Sequence, residues 1–208
     1  MRVGTVPHAV IFDVGNVLFP WEPRRLYERL FDTEQALDAF LSQVVTKEWH
    51  FQHDAGRPFA ETSAELSALY PEHADKIALW GPRFGEQLGP PIPGMAALVE
   101  ELDSAGVPLY GITNFSGEFW RAWMPQVDWL FGRFQDIVVS GDEKLTKPDP
   151  AIYTLALERF GLQGPDAVFV DDLPVNVEAA RAQGIHGVVF TGAEAFRAEL
   201  VRLGVLAG

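Results

Sequence analysis

Residues 9–16 read Ala9-Val10-Ile11-Phe12-Asp13-Val14-Gly15-Asn16. Four apolar residues, rich in side chains that favour strands, run into a turn-forming sequence that begins with an acid. A short unbroken apolar run of this kind is typical of a strand that is buried on both faces of a sheet. The sequence therefore predicts that Asp13 lies where a buried strand leaves the sheet.

Further apolar segments along the chain resemble this first one. They are Val107–Ile112, Asp136–Val139, Ala167–Val170 and Gly187–Phe190. Helical patterns accompany them, led by Met95–Leu102, Ala151–Phe160 and Val177–Gln183. Strands that alternate with helices predict an α/β fold, a doubly wound (Rossmann-like) parallel sheet with helices on both faces. Ligands of such sheets bind at the carboxyl ends of the strands.

Residues 20–90 depart from this alternation, because they contain helical patterns and no convincing strand. The patterns cover Arg24–Leu41, Ala60–Leu69 and Ala74–Phe84. A helical insertion directly after the first strand hangs above the carboxyl edge of the sheet, which is the place for a lid. We therefore expect a core made of residues 1–19 and 91–208, and a small helical cap made of residues 20–90.

The composition excludes several classes of function. The 208 residues include 29 acidic and 16 basic ones, a formal net charge of −13, which disfavours binding to nucleic acid and to anionic membranes. The absence of cysteine excludes disulfides, thiolate metal sites and thiol nucleophiles. It also fits a cytoplasmic protein, and residues 1–7 lack the unbroken apolar core of a secretory signal. Any phosphate site in so acidic a chain must supply its own positive charge.

Four polar groups follow or lie near the ends of successive predicted strands: Asp13, Thr113-Asn114, Lys147 and Asp171-Asp172. Each alone is more typical of a turn, a helix cap or a solvated loop. Together they fit one task. A carboxylate can attack phosphorus, two further carboxylates can hold Mg²⁺, and a lysine with a hydroxyl can stabilise the phosphoryl oxygens. The pattern thus favours a magnesium-dependent phosphatase.

These motifs resemble the haloacid dehalogenase superfamily of hydrolases over essentially the whole chain. The matching pieces are Phe12–Leu18, Ile112–Asn114, Leu145–Tyr153 and Phe169–Asp172, with Asn176, Ala179-Ala180 and Gly184 following the last. A small helical cap after the first motif is similar to the first cap type of that superfamily.

The resemblance implies a role for each position. Asp13 would be the nucleophile, Thr113 and Asn114 would bind the phosphate, and Lys147 would stabilise both nucleophile and phosphoryl group. The metal ligands would be Asp13, the backbone carbonyl of Gly15 and Asp172, with Asp171 in support. Asp172 ranks above Asp171 because the direct ligand of the family is usually the second acid of such a pair.

Gly15 is a departure from most phosphatases of the superfamily, which carry there a second Asp that serves as general acid and base. Loss of that help typically costs about 10²–10⁴ in rate. The Asp-x-Gly-Asn-Val form is similar to a subgroup of sugar-1-phosphate phosphatases, so the substrate is expected to be a small phosphorylated metabolite such as a sugar phosphate. Asn16, a histidine of the cap and bulk water are all open as proton donors.

Two other functions remain open. A 2-haloacid dehalogenase would need no metal and would use Arg24 or Arg25 for the halide, but the acid pair Asp171-Asp172 favours the phosphatase. A weak descendant that only binds a phosphorylated ligand is the second. We expect a monomer or a weak homodimer.

The stretch Trp49-His50-Phe51-Gln52-His53-Asp54 is unusual within the expected cap. The two histidines could share one helical face, but no third metal ligand stands out. We expect His53 to contact the non-phosphate part of the substrate, with aromatic packing between helices as the alternative.

Overall fold

Five short parallel strands form one sheet in the computed structural model, which describes residues 6–208. The strands are β1 (Ala9–Phe12), β2 (Leu109–Thr113), β3 (Asp136–Val139), β4 (Ala167–Asp171) and β5 (His186–Val189). Their order across the sheet is β3-β2-β1-β4-β5. The chain therefore winds outward from β1 in both directions, which confirms the predicted α/β class. A doubly wound sheet binds ligands where the winding direction changes, here beside the carboxyl end of β1.

The residues of β1 are fully buried because helices cover both faces of the sheet. Val10 and Phe12 point into one apolar cluster, and Ala9 and Ile11 point into the other. The covering helices are α6 (Met95–Ser104), α7 (Gly117–Phe131), α9 (Pro150–Phe160), α10 (Pro174–Ala182) and α11 (Ala193–Arg202), and the short helix α8 (Ser140–Glu143) directly follows β3. No helix among residues 6–208 is both long enough and apolar enough to cross a bilayer.

The helical segment, residues 20–90, lies between β1 and β2 and contains no strand in the structure. Its helices are α1 (Arg24–Tyr27), α2 (Glu34–Ala39), which runs on as a π-helical turn (Phe40–Val44), α3 (Lys47–Asp54), α4 (Phe59–Leu69) and α5 (Ala74–Ile77). Short 3₁₀ turns cover Pro71–His73 and Phe84–Gln87.

Two of the predicted helices are shorter than the pattern suggested. Arg24–Leu41 is interrupted because the extended Thr33 accepts a hydrogen bond from the backbone N–H of Ala36 (3.2 Å) and starts a new helix. The pattern Ala74–Phe84 is regular only to Ile77. Pro82 has no backbone N–H to donate and is unfavourable in a helix interior, so a regular helix does not continue to Phe84.

The two ends of the helical segment are held together where they meet the sheet. Trp21 and Leu88 form an isolated antiparallel bridge, the N–H of Glu22 donates to the carbonyl of Gln87 (2.9 Å), and that of Gly89 donates to Pro20 (3.2 Å). The division at residues 20 and 90 stays a prediction. Residues 1–5 of the expected core, and most of the N-terminal stretch tested for a signal, lie outside the described residues.

Candidate active site

The first and fourth strands bring two acids side by side. Because Phe12 pairs with Val170 in the parallel register, Asp13 and Asp171 follow at the same level of the sheet. The N–H of Asp13 donates to the carbonyl of Val170 (2.9 Å). Both side chains are buried, Asp171 completely. The predicted meeting of distant segments at this edge is therefore present in the geometry.

Lys147 lies between the two acids. Its Nζ atom is 2.8 Å from Asp13 Oδ1 and 2.7 Å from Asp171 Oδ2. Asn114 fixes the backbone at this point: its Oδ1 accepts from the N–H of Lys147 (2.8 Å), and its Nδ2 donates to the carbonyl of Lys147 (3.0 Å). Asn114 thus positions Lys147 in addition to lining the cavity at the site.

The carboxylate of Asp171 is engaged on every side. Besides Lys147, it accepts hydrogen bonds from Asn176 Nδ2 (3.0 Å to each oxygen) and from the N–H of Leu173 (2.8 Å). The carbonyl of Asn176 in turn accepts from the hydroxyl of Tyr153 (2.9 Å). Asp171 therefore holds Lys147 in place, and Asn176 supports Asp171.

Three acids offer a set of oxygen ligands for a divalent cation. One carboxylate oxygen from each of Asp13, Asp171 and Asp172 lies within 4.8 Å of the others. Mg²⁺ prefers oxygen ligands and usually keeps one or two carboxylates together with waters. The chemistry of these donors therefore fits Mg²⁺. Asp172 is half-buried and accepts fewer hydrogen bonds from the protein than Asp171. Burial, followed by the charge of Asp171, raises the pKa of the Asp172 carboxyl, and a hydrogen bond from Asn16 opposes the rise.

Burial acts on the charges of the site. It raises the pKa of the Asp13 carboxyl above its ordinary value, and the Lys147 ammonium group opposes this. Burial disfavours the charged form of Lys147, but the two neighbouring carboxylates outweigh it and the pKa of Lys147 is raised. Lys147 therefore stays protonated and supplies the local positive charge that an acidic chain needs at a phosphate site.

The two histidines of helix α3, in the helical segment, have different surroundings. His50 lines the cavity, stacks on Trp21 (centroids 4.7 Å apart) and accepts from Trp80 Nε1 (3.3 Å). His53 does not line it: its Nε2 lies 2.6 Å from Thr62 Oγ1, and its ring packs against Trp49, Phe59 and Phe119. The predicted contact of His53 with a substrate has no support in this geometry.

Asp54, at the end of α3, is a site residue that the sequence analysis missed. It lines the same cavity as Asp13 and is 6% exposed. Its Oδ1 atom has no hydrogen-bond partner among the residues of the structure. Burial raises the pKa of the Asp54 carboxyl to about 8, while the backbone N–H of Ser116 opposes the shift. An acid at the end of an aromatic stretch was the one available signal.

All these groups meet at a cavity of about 840 Å³ between the strand ends and the helical segment. Asp13, Gly15, Asn114, Lys147 and Asp172 lie in its wall. Thr113, the last residue of β2, is buried and does not line it. Six of the eight residues predicted for the site therefore meet at this point: the five above and Asp171, which contacts Lys147.

Comparison with known proteins gives the family. The sequence profile of the haloacid dehalogenase-like hydrolases matches residues 7–184. The chain belongs to this family of hydrolases. A crystal structure of a haloacid dehalogenase family enzyme from Bacteroides thetaiotaomicron, in complex with magnesium, is similar with a TM-score of 0.70 and 17% identity, over 93% of this chain and all of that one. At that identity the likeness concerns the fold.

Two curated relatives of this hydrolase are phosphatases. The sesquiterpene phosphatase astK of Aspergillus oryzae is 30% identical over 201 residues, which are 94% of this chain and 95% of that protein. The phosphorylated carbohydrates phosphatase of Thermotoga maritima is 27% identical over 190 residues, 87% of this chain and 85% of that protein. The hydrolase thus has relatives that act on phosphorylated compounds.

Proposed function

We propose that this hydrolase is a magnesium-dependent phosphomonoesterase that acts through an aspartyl-phosphate on Asp13. The observation that carries the proposal is the position of the Asp13 carboxylate, in a cavity wall, 2.8 Å from a buried ammonium group and beside two further acids. A nucleophilic carboxylate next to fixed positive charge suits attack on phosphorus, where negative charge spreads over the phosphoryl oxygens.

Each remaining group has a role in this proposal. Lys147 neutralises the transferring phosphoryl group and orients Asp13. Asp13, the carbonyl of Gly15 and Asp172 would hold Mg²⁺, with Asp171 in support through Lys147. Bound there, the metal would offset charge on the phosphoryl oxygens. Asn114, which follows β2 and lines the cavity, remains a proposed phosphate ligand, whereas the proposed phosphate role of Thr113 has no support in a side chain that does not line the cavity.

The helical segment is proposed as the cap of the site, with residues 1–19 and 91–208 as the core. It supplies one wall of the cavity, and the chain crosses between it and the core only at residues 20 and 90, where a hinge would lie; opening would also break contacts such as that of Ser140 Oγ with the Asp54 carbonyl (2.6 Å). Closing such a lid excludes water from the reaction.

The dehalogenase alternative is weaker in this geometry. Arg24 lines the cavity, but its guanidinium is ion-paired with Glu34 (2.5 Å) and Asp38, so it is not free to receive a halide. Arg25 lies near Glu22 (3.4 Å). A protein that only binds phosphorylated ligands would not need the full set of Asp13, Lys147 and the acid pair.

The substrate would be a small phosphorylated metabolite. The relatives named above act, by their names, on phosphorylated carbohydrates and on a sesquiterpene compound. A sugar phosphate was the expectation from the first motif, and both classes belong in a substrate panel.

The test is phosphate release from p-nitrophenyl phosphate with Mg²⁺ and with chelator. We expect Asp13→Asn to lower kcat/KM by at least about 10⁴-fold, and chelation to abolish turnover. Asp103→Asn is the matched control, because Asp103 is a surface acid paired with Arg133 (2.7 Å). Halide release from 2-haloacids that persists in chelator would overturn the proposal, as would saturable binding of phosphate esters without any turnover.

A further inference from the structure

The wall of the cavity that the helical segment supplies is rich in apolar side chains. The helical segment contributes large hydrophobic side chains to it, namely Trp21, Leu41, Val45, Phe51, Trp80 and Phe84. The core continues this surface with Leu173 and Val175, which follow β4. The cavity therefore combines charged groups at the strand ends, Asp13 and Lys147 among them, with a larger apolar lining.

Several of these apolar side chains are left open to solvent. Phe51, Leu173 and Val175 are 44%, 51% and 57% exposed. Within residues 6–208, they are three of the seven large hydrophobic side chains that are exposed, and all three line this one cavity. Exposed apolar surface that gathers at one concave place marks a binding site for an apolar group.

Several polar side chains of the same wall are engaged within the protein, although the exposed Lys47 lines the cavity as well. Arg24 is ion-paired with Glu34, and Thr46 Oγ1 accepts from the N–H of Trp49 (3.2 Å). His50 Nδ1 accepts from Trp80. A ligand rich in hydroxyl groups would give up its hydrogen bonds to water here and find few replacements, which is costly.

We propose that the substrate is the phosphate monoester of a bulky hydrocarbon alcohol, long-chain or branched, and not of a sugar. This inference rests on the proposed phosphatase activity. The cavity volume of about 840 Å³ leaves room for such a group beside the phosphate, since pockets for drug-sized ligands span about 300–1,000 Å³.

The test compares kcat/KM for ethyl, butyl, hexyl and octyl monophosphate with that for glucose 6-phosphate and farnesyl monophosphate. Each methylene that enters the apolar part of the cavity should raise kcat/KM roughly 2- to 4-fold. The kcat/KM for farnesyl monophosphate should exceed that for glucose 6-phosphate. A flat chain-length series, or preference for the sugar phosphate, would overturn the inference while leaving the phosphatase intact. Failure to hydrolyse any ester, p-nitrophenyl phosphate included, would instead contradict the proposed function.

Substitutions of exposed residues sharpen this test, because they put little strain on the fold. Phe51→Glu should lower the ratio of kcat/KM for octyl over ethyl phosphate roughly 3- to 10-fold. Leu69→Glu is the matched control: Leu69 is 73% exposed and does not line the cavity, so the ratio should stay as in the wild type. An equal ratio in wild type and Phe51→Glu would contradict the proposed apolar contact.

A second and independent observation concerns the unpaired acid Asp54. Its backbone carbonyl accepts from Ser140 Oγ (2.6 Å), which ties this end of α3 to the core beside the site. Its side chain lines the cavity, and no donor within residues 6–208 forms a hydrogen bond with its Oδ1 atom. A buried carboxyl oxygen without a partner is costly, so such a group in a cavity wall needs an explanation.

The charges of the groups around Asp54 affect the pKa of its carboxyl. Trp80 Nε1 can only donate, so His50 Nδ1 is an acceptor and the ring proton is on Nε2, 3.5 Å from Asp54 Oδ2. Burial, and to a smaller extent His53, lower the pKa of His50 to about 3, so its ring is neutral. The other charged groups that act on Asp54 are Asp13 and Lys147. Asp54 therefore faces no compensating cation at close range.

The geometry points to Asp54 as the general acid and base that Gly15 cannot provide, on the basis of the proposed function. As Asp13 Oδ bonds to phosphorus and the ester P–O bond breaks, the Asp54 carboxyl gives its proton to the leaving alkoxide. The resulting carboxylate then takes a proton from the water that attacks the aspartyl-phosphate. The Asp13–phosphate bond breaks and inorganic phosphate leaves. The Asp13 carboxylate and the protonated Asp54 carboxyl are thereby restored. At neutral pH the carboxyl carries the required proton, because its pKa is raised.

Leaving-group dependence distinguishes this role from a structural one. Asp54→Asn should lower kcat/KM for octyl phosphate about 10²- to 10⁴-fold. For p-nitrophenyl phosphate, whose leaving group needs no proton, the loss in kcat/KM should stay below about tenfold. A burst of p-nitrophenolate should appear, because hydrolysis of the aspartyl-phosphate becomes slow. Equal losses for both esters, or no loss for either, would overturn the assignment.

A rescue variant completes the test. An added Cβ at Gly15 meets no atom within 4 Å, so the backbone position accepts a side chain and Gly15→Asp is a suitable rescue substitution. In the double variant Asp54→Asn/Gly15→Asp, the new acid should recover at least about tenfold of the lost kcat/KM for octyl phosphate. If the double variant unfolds at the same urea concentration as the wild type but recovers no kcat/KM, the activity lost in Asp54→Asn is not due to a missing proton donor.

Discussion

The two sides of the cavity are built on opposite principles. On the core side, Asp13, Lys147 and Asp171 form a buried charged network in which Asp171 and Lys147 are held by Asn176 and Asn114. On the side of the helical segment, aromatic rings pack on one another and Asp54 is left without a partner for one oxygen. In the proposed function, this difference assigns the phosphoryl chemistry to the strand ends and the selection of the group attached to the phosphate to the helical segment.

The largest expected effect is on the charged side. Lys147→Met removes the cation between two buried carboxylates and should lower the free energy of unfolding by about 3–5 kcal/mol at pH 7, measured by urea denaturation. In Lys147→Met/Asp171→Asn one of those carboxylates is neutral, so the double variant should be more stable than the single one. A single variant within about 1 kcal/mol of the wild type would contradict the importance of this network.

The next effect concerns Asp54, the acid on the helical segment with one oxygen that has no hydrogen-bond partner. The folded-state pKa of Asp54, about 8, lies above the ordinary value of 3.8. The stability that its protonated form contributes is fully present below pH 4 and is lost as the pH rises towards 8. Asp54→Asn removes this dependence. The unfolding free energy of Asp54→Asn minus that of the wild type should therefore rise by roughly 1 kcal/mol per pH unit between pH 4 and pH 8, and then level off.

Urea denaturation at pH 4, 6 and 8 measures this difference, with Asp103→Asn as the surface control. A difference that stays constant across the three pH values would show that the carboxyl of Asp54 is ionised in the folded protein.

The smallest effect separates packing from substrate contact at His53. His53→Phe loses the contact with Thr62 Oγ1 but keeps a ring among Trp49, Phe59 and Phe119. The unfolding free energy should fall by about 1–2 kcal/mol, and KM for octyl phosphate should change by less than about twofold. A large rise in KM at unchanged stability would restore the interpretation that His53 contacts the substrate.

The charged side of the site was open to prediction from the sequence. Short apolar runs identify the strands, and the edge of a doubly wound sheet brings the residues after them together. Asp13, Asn114, Lys147, Asp171 and Asp172 meet in this way. The supporting role of Asn114 towards the backbone of Lys147 depends on the loop geometry before α9, which no local pattern reveals.

The helical segment was harder to predict for a physical reason. Trp49, His50, His53 and Asp54 of α3 are all buried, so burial alone does not show which of these side chains meets the cavity and which packs against other helices. Whether a residue faces the cavity depends on how α3 packs against α4 and the core. His50 and Asp54 therefore face the site, while His53, three residues from His50, packs against Thr62.

The central claim is that Asp13 carries the phosphoryl group during turnover. Enzyme mixed with p-nitrophenyl phosphate and Mg²⁺, quenched rapidly in acid and digested, should show one added phosphoryl group on the peptide that contains Asp13. The adduct should be absent in chelator and in Asp13→Asn, and should be more abundant in Asp54→Asn. A phosphoryl group on another residue, or turnover in Mg²⁺ with no adduct in either wild type or Asp54→Asn, would contradict the account.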